Sequence, residues 1–583
     1  MKAIVGTGPL APPLASAFAQ CRQHIVHAMA FSAFLNLLLI APALYMMQVY
    51  DRVIPTRGGE TLFWLTAIYL FAVGALASLD WIRAKILGRV SARLARLLSG
   101  QILSALLALP DRARSRSGSA LREFDAFRQT VTAPATTSLF DVPWSPIYIL
   151  VCFALHPLIG IFALLCSLTL LAIGYLNERA ITPPTLVAIS AHQQSYAAMD
   201  ATLRASGLVR VLGMKSGLVA RHMREHAAST ALQLDAAFAG ARFASTAKGI
   251  RIGMQSLMLG LGALLAINER ISAGAIFASS LLLSRALAPL ESVASTWRSA
   301  VHARATLLML NTLFESDPSH AAKTRLPRPV GAIQVEDLTV HGDEAAPAIL
   351  REINVAISAG ETMGIVGPSG AGKSTLLRSI AGETNPTSGT VRLDGAALQD
   401  WPEDQRASAL GYVPQTPMLL TGTVKDNISR FTTETASNPA AVDEEVVRVA
   451  RLCGIHEFIL RLPRAYDTLL SPDSNILSVG QAQRLACARA LFGNPSVLLL
   501  DEPNAHLDAE GERQLIALLQ DLKQQNVTVL IAAHNMRMLE NSDRLLFLRN
   551  GSVEKCVRSR DVIRRSVVMP IGVQATGRKD LAA

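Results

Sequence analysis

Two short stretches carry residue types suited to phosphate chemistry: GPSGAGKST at residues 367–375 and VLLLDEP at 497–503. The first fits the pattern G-x-x-x-x-G-K-[ST]. Gly367, Pro368, Ser369, Gly370 and Ala371 lead into Gly372, Lys373, Ser374 and Thr375. Glycines let successive backbone N–H groups wrap the β- and γ-phosphates, and a helix start behind them adds positive potential. Lys373 is placed to contact those phosphates, and Ser374 offers an oxygen to magnesium. In the second stretch four apolar residues make a buried strand that ends in Asp501, a carboxylate able to hold magnesium through water. Glu502 follows and can orient or deprotonate a water attacking the γ-phosphate in line. Gln415, in YVPQ, falls between the two motifs, where it can sense the metal and that water. His534 ends TVLIAAH and can contact the γ-phosphate. A histidine at a strand end is more often structural when it stands alone; here it stands in a series.

The elements needed to position these groups are visible around them. TMGIV before the glycines is strand-like and TLLRSIAG after them is helix-like. Short β-rich runs (IQVEDLTV, TMGIVG, VLLLDEP, TVLIAAH) alternate with helical ones after Ala332, which predicts an α/β unit with a largely parallel sheet. Before it, DPSHAAKTRLPRPVGA is polar and contains prolines, so residues 317–332 read as a linker between a first unit at 25–316 and a second at 333–555.

The first unit is far greasier than a water-soluble protein. Half of all residues are apolar and only 17% are charged. Residues 23–50 hold no Asp, Glu, Lys or Arg, and neither do residues 142–177. The second of these runs is too long for one bilayer crossing and is broken at His156-Pro157, which makes it two. With 61–79, 252–268 and a stretch from Ile271 toward Pro289, six membrane helices are expected. The long loop at 81–135 carries ten Lys or Arg against three acids, and that at 178–245 carries seven against four. The positive-inside rule puts both loops and both termini in the cytoplasm. Their apolar residues recur at helical spacing, so the membrane helices should continue as stalks. Breaks near Pro110–Ser119 and Ala205–Lys215 are candidates for turns touching the next domain. Arg285 lies within the sixth span; it either lines a pathway or sits near the cytoplasmic end and snorkels. The six cysteines are scattered with no CxxC pair, which indicates neither a zinc site nor a disulfide framework. No signal peptide precedes the first apolar run, and the basic tail at 556–583 carries no readable motif. The fold class is thus multi-domain: an all-α domain of six transmembrane helices followed by an α/β P-loop ATPase domain.

GPSGAGKST, YVPQ, LSVGQ, LLLDEP, NAHLD and AAH stand in the order of an ABC-type ATPase domain, and the whole chain resembles a half-size ABC exporter. MMQVYDRVIPTRGGETLFWLT, FDVPWSPIYILVCFALHPLIG and DEPNAHLDAEGE narrow the likeness to type I protein-secretion exporters of the protease, lipase and S-layer type. The resemblance spans about residues 20–555. Haemolysin-type relatives carry a peptidase-like domain before the first span, for which this chain has under 30 residues. The resemblance implies ATP and Mg2+ as cofactors and a homodimer in an inner membrane. Each ATP would be sandwiched between one subunit's phosphate loop and the other's signature, here Ser478, Gly480 and Gln481. It implies a periplasmic membrane-fusion protein, an outer-membrane channel and an unfolded protein cargo with a C-terminal signal, and no nucleic acid.

The sequence departs from the family pattern in places. Val479 stands where the signature usually has glycine, and it is costly if the backbone there needs positive φ. SPDSN at 471–475 replaces a glycine-rich stretch, and Ala482 replaces an arginine. No adenine-stacking aromatic is evident; His341 is the nearest ring. Two readings therefore stay open beside protein secretion. One is an exporter of lipid, peptide or drug. The other is a hydrolysis-poor subunit that needs a paralogous partner.

Overall fold

The computed structural model describes residues 10–109, 120–315, 323–342, 347–471 and 476–561. The chain divides into two compact units, Met1–His320 and Ala321–Ala583.

The first unit is helical among its described residues. Six of its helices are long and apolar enough to cross a membrane, at the six places expected. The first span comprises α1 (Pro12–Leu38) and α2 (Ala41–Gln48), then a π-helical turn at Val49–Val53. The second lies in α3 (Gly59–Ala108). A separate helix, α4 (Ala120–Thr130), follows. The third span is interrupted: α5 (Pro134–Asp141), a 3-10 turn at Val142–Trp144, then α6 (Ser145–Leu155). The fourth begins α7 (Pro157–Arg204). After the short α8 (Ser206–Val211), the fifth ends α9 (Lys215–Ile267). The sixth is α10 (Ala273–Ser295), followed by α11 (Trp297–Glu315).

Local chemistry explains the break between spans three and four. His156 is extended, its side chain accepts the Leu158 N–H, and Pro157 opens α7. Gly160 lies against the Phe153 ring, where an added Cβ would sit 2.2 Å from Cγ. Lengths explain the stalks. Helices α3, α7 and α9 run 50, 48 and 53 residues. At ~1.5 Å per residue each is more than twice the ~30 Å hydrocarbon core. Among the described residues the unit accordingly has two apolar cores. One, around Tyr148, Cys152, Ile159, Met258 and Leu283, lies among the spans. The other joins Ala11, Leu14 and Cys21 to Leu94, Leu98, Phe124 and Leu310. The chain is already helical from Pro12, and Ala11, Leu14 and Cys21 pack into that second core. The break at Pro110–Ser119 lies outside the described residues. The other expected break is α8, whose neighbourhood exposes Leu208, Val211 and Leu212. Arg285 is half-buried in α10, within electrostatic reach of Tyr148.

The second unit contains two main sheets. The antiparallel one has the order β2-β1-β4-β5, from β1 (Ile333–His341), β2 (Ala348–Ile357), β4 (Ser388–Leu393) and β5 (Ala396–Ala397). The other adds β3 (Thr362–Val366), β6 (Leu410–Val413), β7 (Val497–Asp501), β8 (Thr528–Ala532), β9 (Arg544–Arg549) and β10 (Ser552–Arg558). Its order is β10-β9-β3-β8-β7-β6, parallel except for the β9–β10 edge. Strands β3, β7 and β8 are apolar throughout or nearly so, as strands covered on both faces must be. Parallel pairing aligns the carboxyl ends of β3, β8, β7 and β6 along one edge, the place where α/β sheets bind ligands.

Candidate nucleotide site

Four neighbouring strand ends bring together residues that lie as much as 167 positions apart in the sequence, from Gly367 to His534. Gly367 follows β3 directly, and an added Cβ there would lie 2.4 Å from the Leu548 carbonyl. Pro368, Ser369 and Gly370 are exposed at the crest of the loop, and Ala371 is buried beneath it. Gly370 and Gly372 have φ of +80° and +98°, angles that reward glycine. Lys373 opens helix α12 (Lys373–Ala381), and Ser374 and Thr375 are half-buried in its first turn. The Lys373 side chain curls back over its loop. Its Nζ donates to the Gly367 and Pro368 carbonyls at 2.8 and 3.2 Å.

Glu502 lies just past β7, and its backbone N–H donates to the Ala532 carbonyl of β8. Its φ is +48°, uncommon for a residue with a side chain. That geometry turns the carboxylate toward two of the expected partners. Gln415 Nε2 donates to Glu502 Oε2 at 3.1 Å. His534 Nε2 is 3.0 Å from Glu502 Oε1 and 3.3 Å from Lys373 Nζ. One ring nitrogen cannot serve both neighbours at once: protonated it donates to Glu502, unprotonated it accepts from Lys373.

Asp501 is fully buried, and no donor among the described residues meets either oxygen in good geometry. Burial pushes its carboxyl above the usual carboxylate range; the Ser374 hydroxyl draws it back, the Glu502 charge raises it, and Arg378 and Lys373 lower it. A buried carboxylate with so little donor support is costly. The Ser374 hydroxyl and the Glu502 charge beside it make a hard, oxygen-rich donor set, which suits a magnesium ion.

The signature residues stand apart. No described hydrogen bond or ion pair joins Ser478, Gly480 or Gln481 to the cluster around Glu502. Ser478 caps helix α13 (Val479–Leu491): its Oγ accepts the Gln481 N–H, and Gln481 Oε1 accepts the Ser478 N–H. This reciprocal capping box needs no glycine at residue 479. Val479 is the first residue of the helix, has no positive φ, and its side chain is half exposed. Gly480 differs, because a Cβ there would lie 2.5 Å from the His506 carbonyl. The signature therefore keeps glycine where packing demands it. Residues 472–475 of the SPDSN stretch lie outside the described residues. His341 is exposed at the end of β1, its ring beside the Thr387 hydroxyl.

Sequence reasoning missed the residues that hold α13 in place. Arg484 donates to Asp508 at 2.8 Å and to the Gly454 carbonyl at 3.3 Å. Asp508 in turn caps helix α14 (Ala509–Gln524). Arg430 donates to the Arg489 and Ala490 carbonyls, in the last turn of α13, at 2.9 and 2.8 Å. Its third bond goes to the Ala407 carbonyl, in the short helix Glu403–Ala409 beside β6. No local motif marks Arg430, since its three partners lie 23, 59 and 60 positions away.

A phosphate loop, an orphaned acidic strand end and a capped signature helix, behind six membrane helices, define an ABC exporter half-transporter. Comparisons with known proteins agree. Residues 350–505 match the ABC transporter family. The fold matches a bacterial Atm1-family ABC exporter with ATP bound, with a TM-score of 0.79 over 96% of this chain and 100% of that one, at 21% identity. The chain is 34% identical to the type I secretion system ATP-binding protein PrsD of Rhizobium meliloti, over 93% of its own length and 92% of that protein's. It is 29% identical to the alpha-hemolysin translocation ATP-binding protein HlyB of Escherichia coli, over 91% of its length and 75% of HlyB. The chain belongs to the ATP-binding exporters of type I secretion systems. It binds nucleotide and couples ATP hydrolysis to transport across a membrane.

Proposed function

We propose that the chain works as a homodimer in a bacterial inner membrane and drives an unfolded protein with a C-terminal signal out of the cell. Its partners would be a periplasmic membrane-fusion protein and an outer-membrane channel, as the type I secretion relatives suggest. The ATPase unit and both termini lie in the cytoplasm on this reading, supported by the basic loops at 81–135 and 178–245. Glu502 orients the attacking water, steadied by Gln415; His534 and Lys373 face the γ-phosphate. Asp501, Ser374 and Gln415 would hold magnesium, whose charge would screen the phosphate oxygens. Ser478, Gly480 and Gln481 serve the partner subunit's ATP.

The observation that carries this reading is the convergence of Gln415, Glu502, His534 and Lys373 at adjoining strand ends. It favours an active hydrolase over a passive subunit, and the capped helix at Val479 removes the main reason to think otherwise. The test is magnesium-dependent ATP hydrolysis by the purified chain expressed alone, beside Glu502→Gln. The variant should lose about 10²–10⁴-fold in turnover and still bind nucleotide. Chelating magnesium should stop hydrolysis by the unaltered chain. A well-folded chain that binds ATP and does not hydrolyse it would overturn the homodimer reading and call for a paralogous partner.

A further inference from the structure

The stretch FDVPWS contributes Asp141 to an ionic cluster around the buried Arg83 that the ATPase chemistry does not use. Arg83, on α3, is 8% exposed, and Asp141 is the last residue of α5. Arg83 Nη1 donates to Asp141 Oδ1 at 2.9 Å and to the Ser32 hydroxyl at 3.0 Å, and Nη2 donates to Asp80 at 2.7 Å. Asn36, on α1, donates to the same Asp141 oxygen at 2.9 Å. From the other side of the 3-10 turn, the Tyr148 hydroxyl of α6 donates to Asn36 at its carbonyl and side-chain oxygens, 2.8 and 2.9 Å.

Two features make this cluster mechanical. First, Pro143 and Pro146 lack backbone donors just where α5 gives way to α6, so fewer helix bonds resist bending there. A 3-10 interruption in a helix often marks a hinge. Asn36 holds both arms of that hinge, Asp141 on one and Tyr148 on the other. Second, Arg83 stands where α3 leaves its apolar run and Asp141 where the chain re-enters the third span. The ion pair therefore ties together the two ends of the intervening loop. A loop closed at its base moves as one lever; an open one dissipates motion within itself.

We propose that Arg83, Asp141 and Asn36 are positioning residues that form the fulcrum of the third span, passing nucleotide-driven motion of the loop between spans two and three into α6. The inference depends on the ATP-driven cycle and not on what is exported.

The test measures distance across the hinge. Spin labels are placed at Ala126→Cys and Leu150→Cys, both exposed, in the full chain with its six native cysteines replaced and diluted with unlabelled chain. Spectra are recorded with and without a non-hydrolysable ATP analogue plus magnesium. In the otherwise unaltered chain the nucleotide should shift a narrow distance distribution. Arg83→Gln should broaden the distribution and lose the shift; Arg83→Lys, which keeps the charge, should retain it. Basal ATP hydrolysis reports that each variant is folded. If Arg83→Gln does not fold, Asp141→Asn removes the charge while keeping an acceptor for Asn36, and should lose the shift equally. The proposal is overturned by a nucleotide shift in the charge-removing variant equal to that of the unaltered chain. It is equally overturned if Arg83→Lys loses the shift as fully as Arg83→Gln, or if the unaltered chain shows none.

Discussion

At residue 479 the side chain is half exposed on the first turn of α13, and at residue 480 there is no room for one. Opposite outcomes follow from small side-chain changes at adjacent positions. Val479→Gly should leave ATP turnover within about twofold and cost ~0.5 kcal/mol of helix stability. Gly480→Ala should push α13 off the His506 carbonyl, cost about 1–3 kcal/mol, and lower turnover about 10- to 100-fold through misplacement of Ser478. Steady-state hydrolysis and thermal melting of the purified chain check both. The phosphate loop was legible in the sequence because its parts are contiguous: strand, glycines, lysine and helix all fall within 20 residues, 362–381. The harmlessness of Val479 was not legible, because spacing does not reveal φ. Nor does any local signal show that Glu502 adopts φ of +48° to meet both Gln415 and His534.

Among the elements, α13 is held at both ends. The capping box closes its amino end, and Arg430 fills the carboxyl end, where a cation meets the negative pole of the helix. Only a planar fork reaches three carbonyls in this way, so lysine is no substitute. Arg430→Ala should destabilise the ATPase unit by ~1.5–3 kcal/mol and reduce kcat, leaving nucleotide affinity within about twofold, since α12 and the phosphate loop are untouched. Arg430→Lys should recover little of either loss. Calorimetric melting and titration with a fluorescent nucleotide measure the two. The six spans were readable at this scale because a bilayer demands about 20 apolar residues of each. The interruption in the third was not read from the sequence; it shows only in the 3-10 turn at Val142–Trp144. Its ionic partner, Arg83, lies 58 positions upstream on another helix, and only packing brings them together.

For the whole molecule, the alternation of basic loops and short turns predicts an orientation that labelling can test. Glu269 sits exposed in the turn between α9 and α10, and Lys215 sits exposed at the start of α9. In spheroplasts, Glu269→Cys should react with a membrane-impermeant maleimide from outside. Lys215→Cys should react only after permeabilisation. The reverse pattern would invert the topology and place the ATPase unit on the wrong side for its nucleotide.

The separation of Ser478 from the Glu502 cluster has a genetic consequence. If each nucleotide is completed by two chains, a lesion at Ser478 and a lesion at Lys373 damage opposite faces of the same pocket. Random pairing of the two mutant chains gives mixed dimers in about half of cases. Each mixed dimer concentrates both lesions in one pocket and leaves the other intact. Two alleles that are silent alone should therefore restore hydrolysis when expressed together, and two alleles on the same face should not.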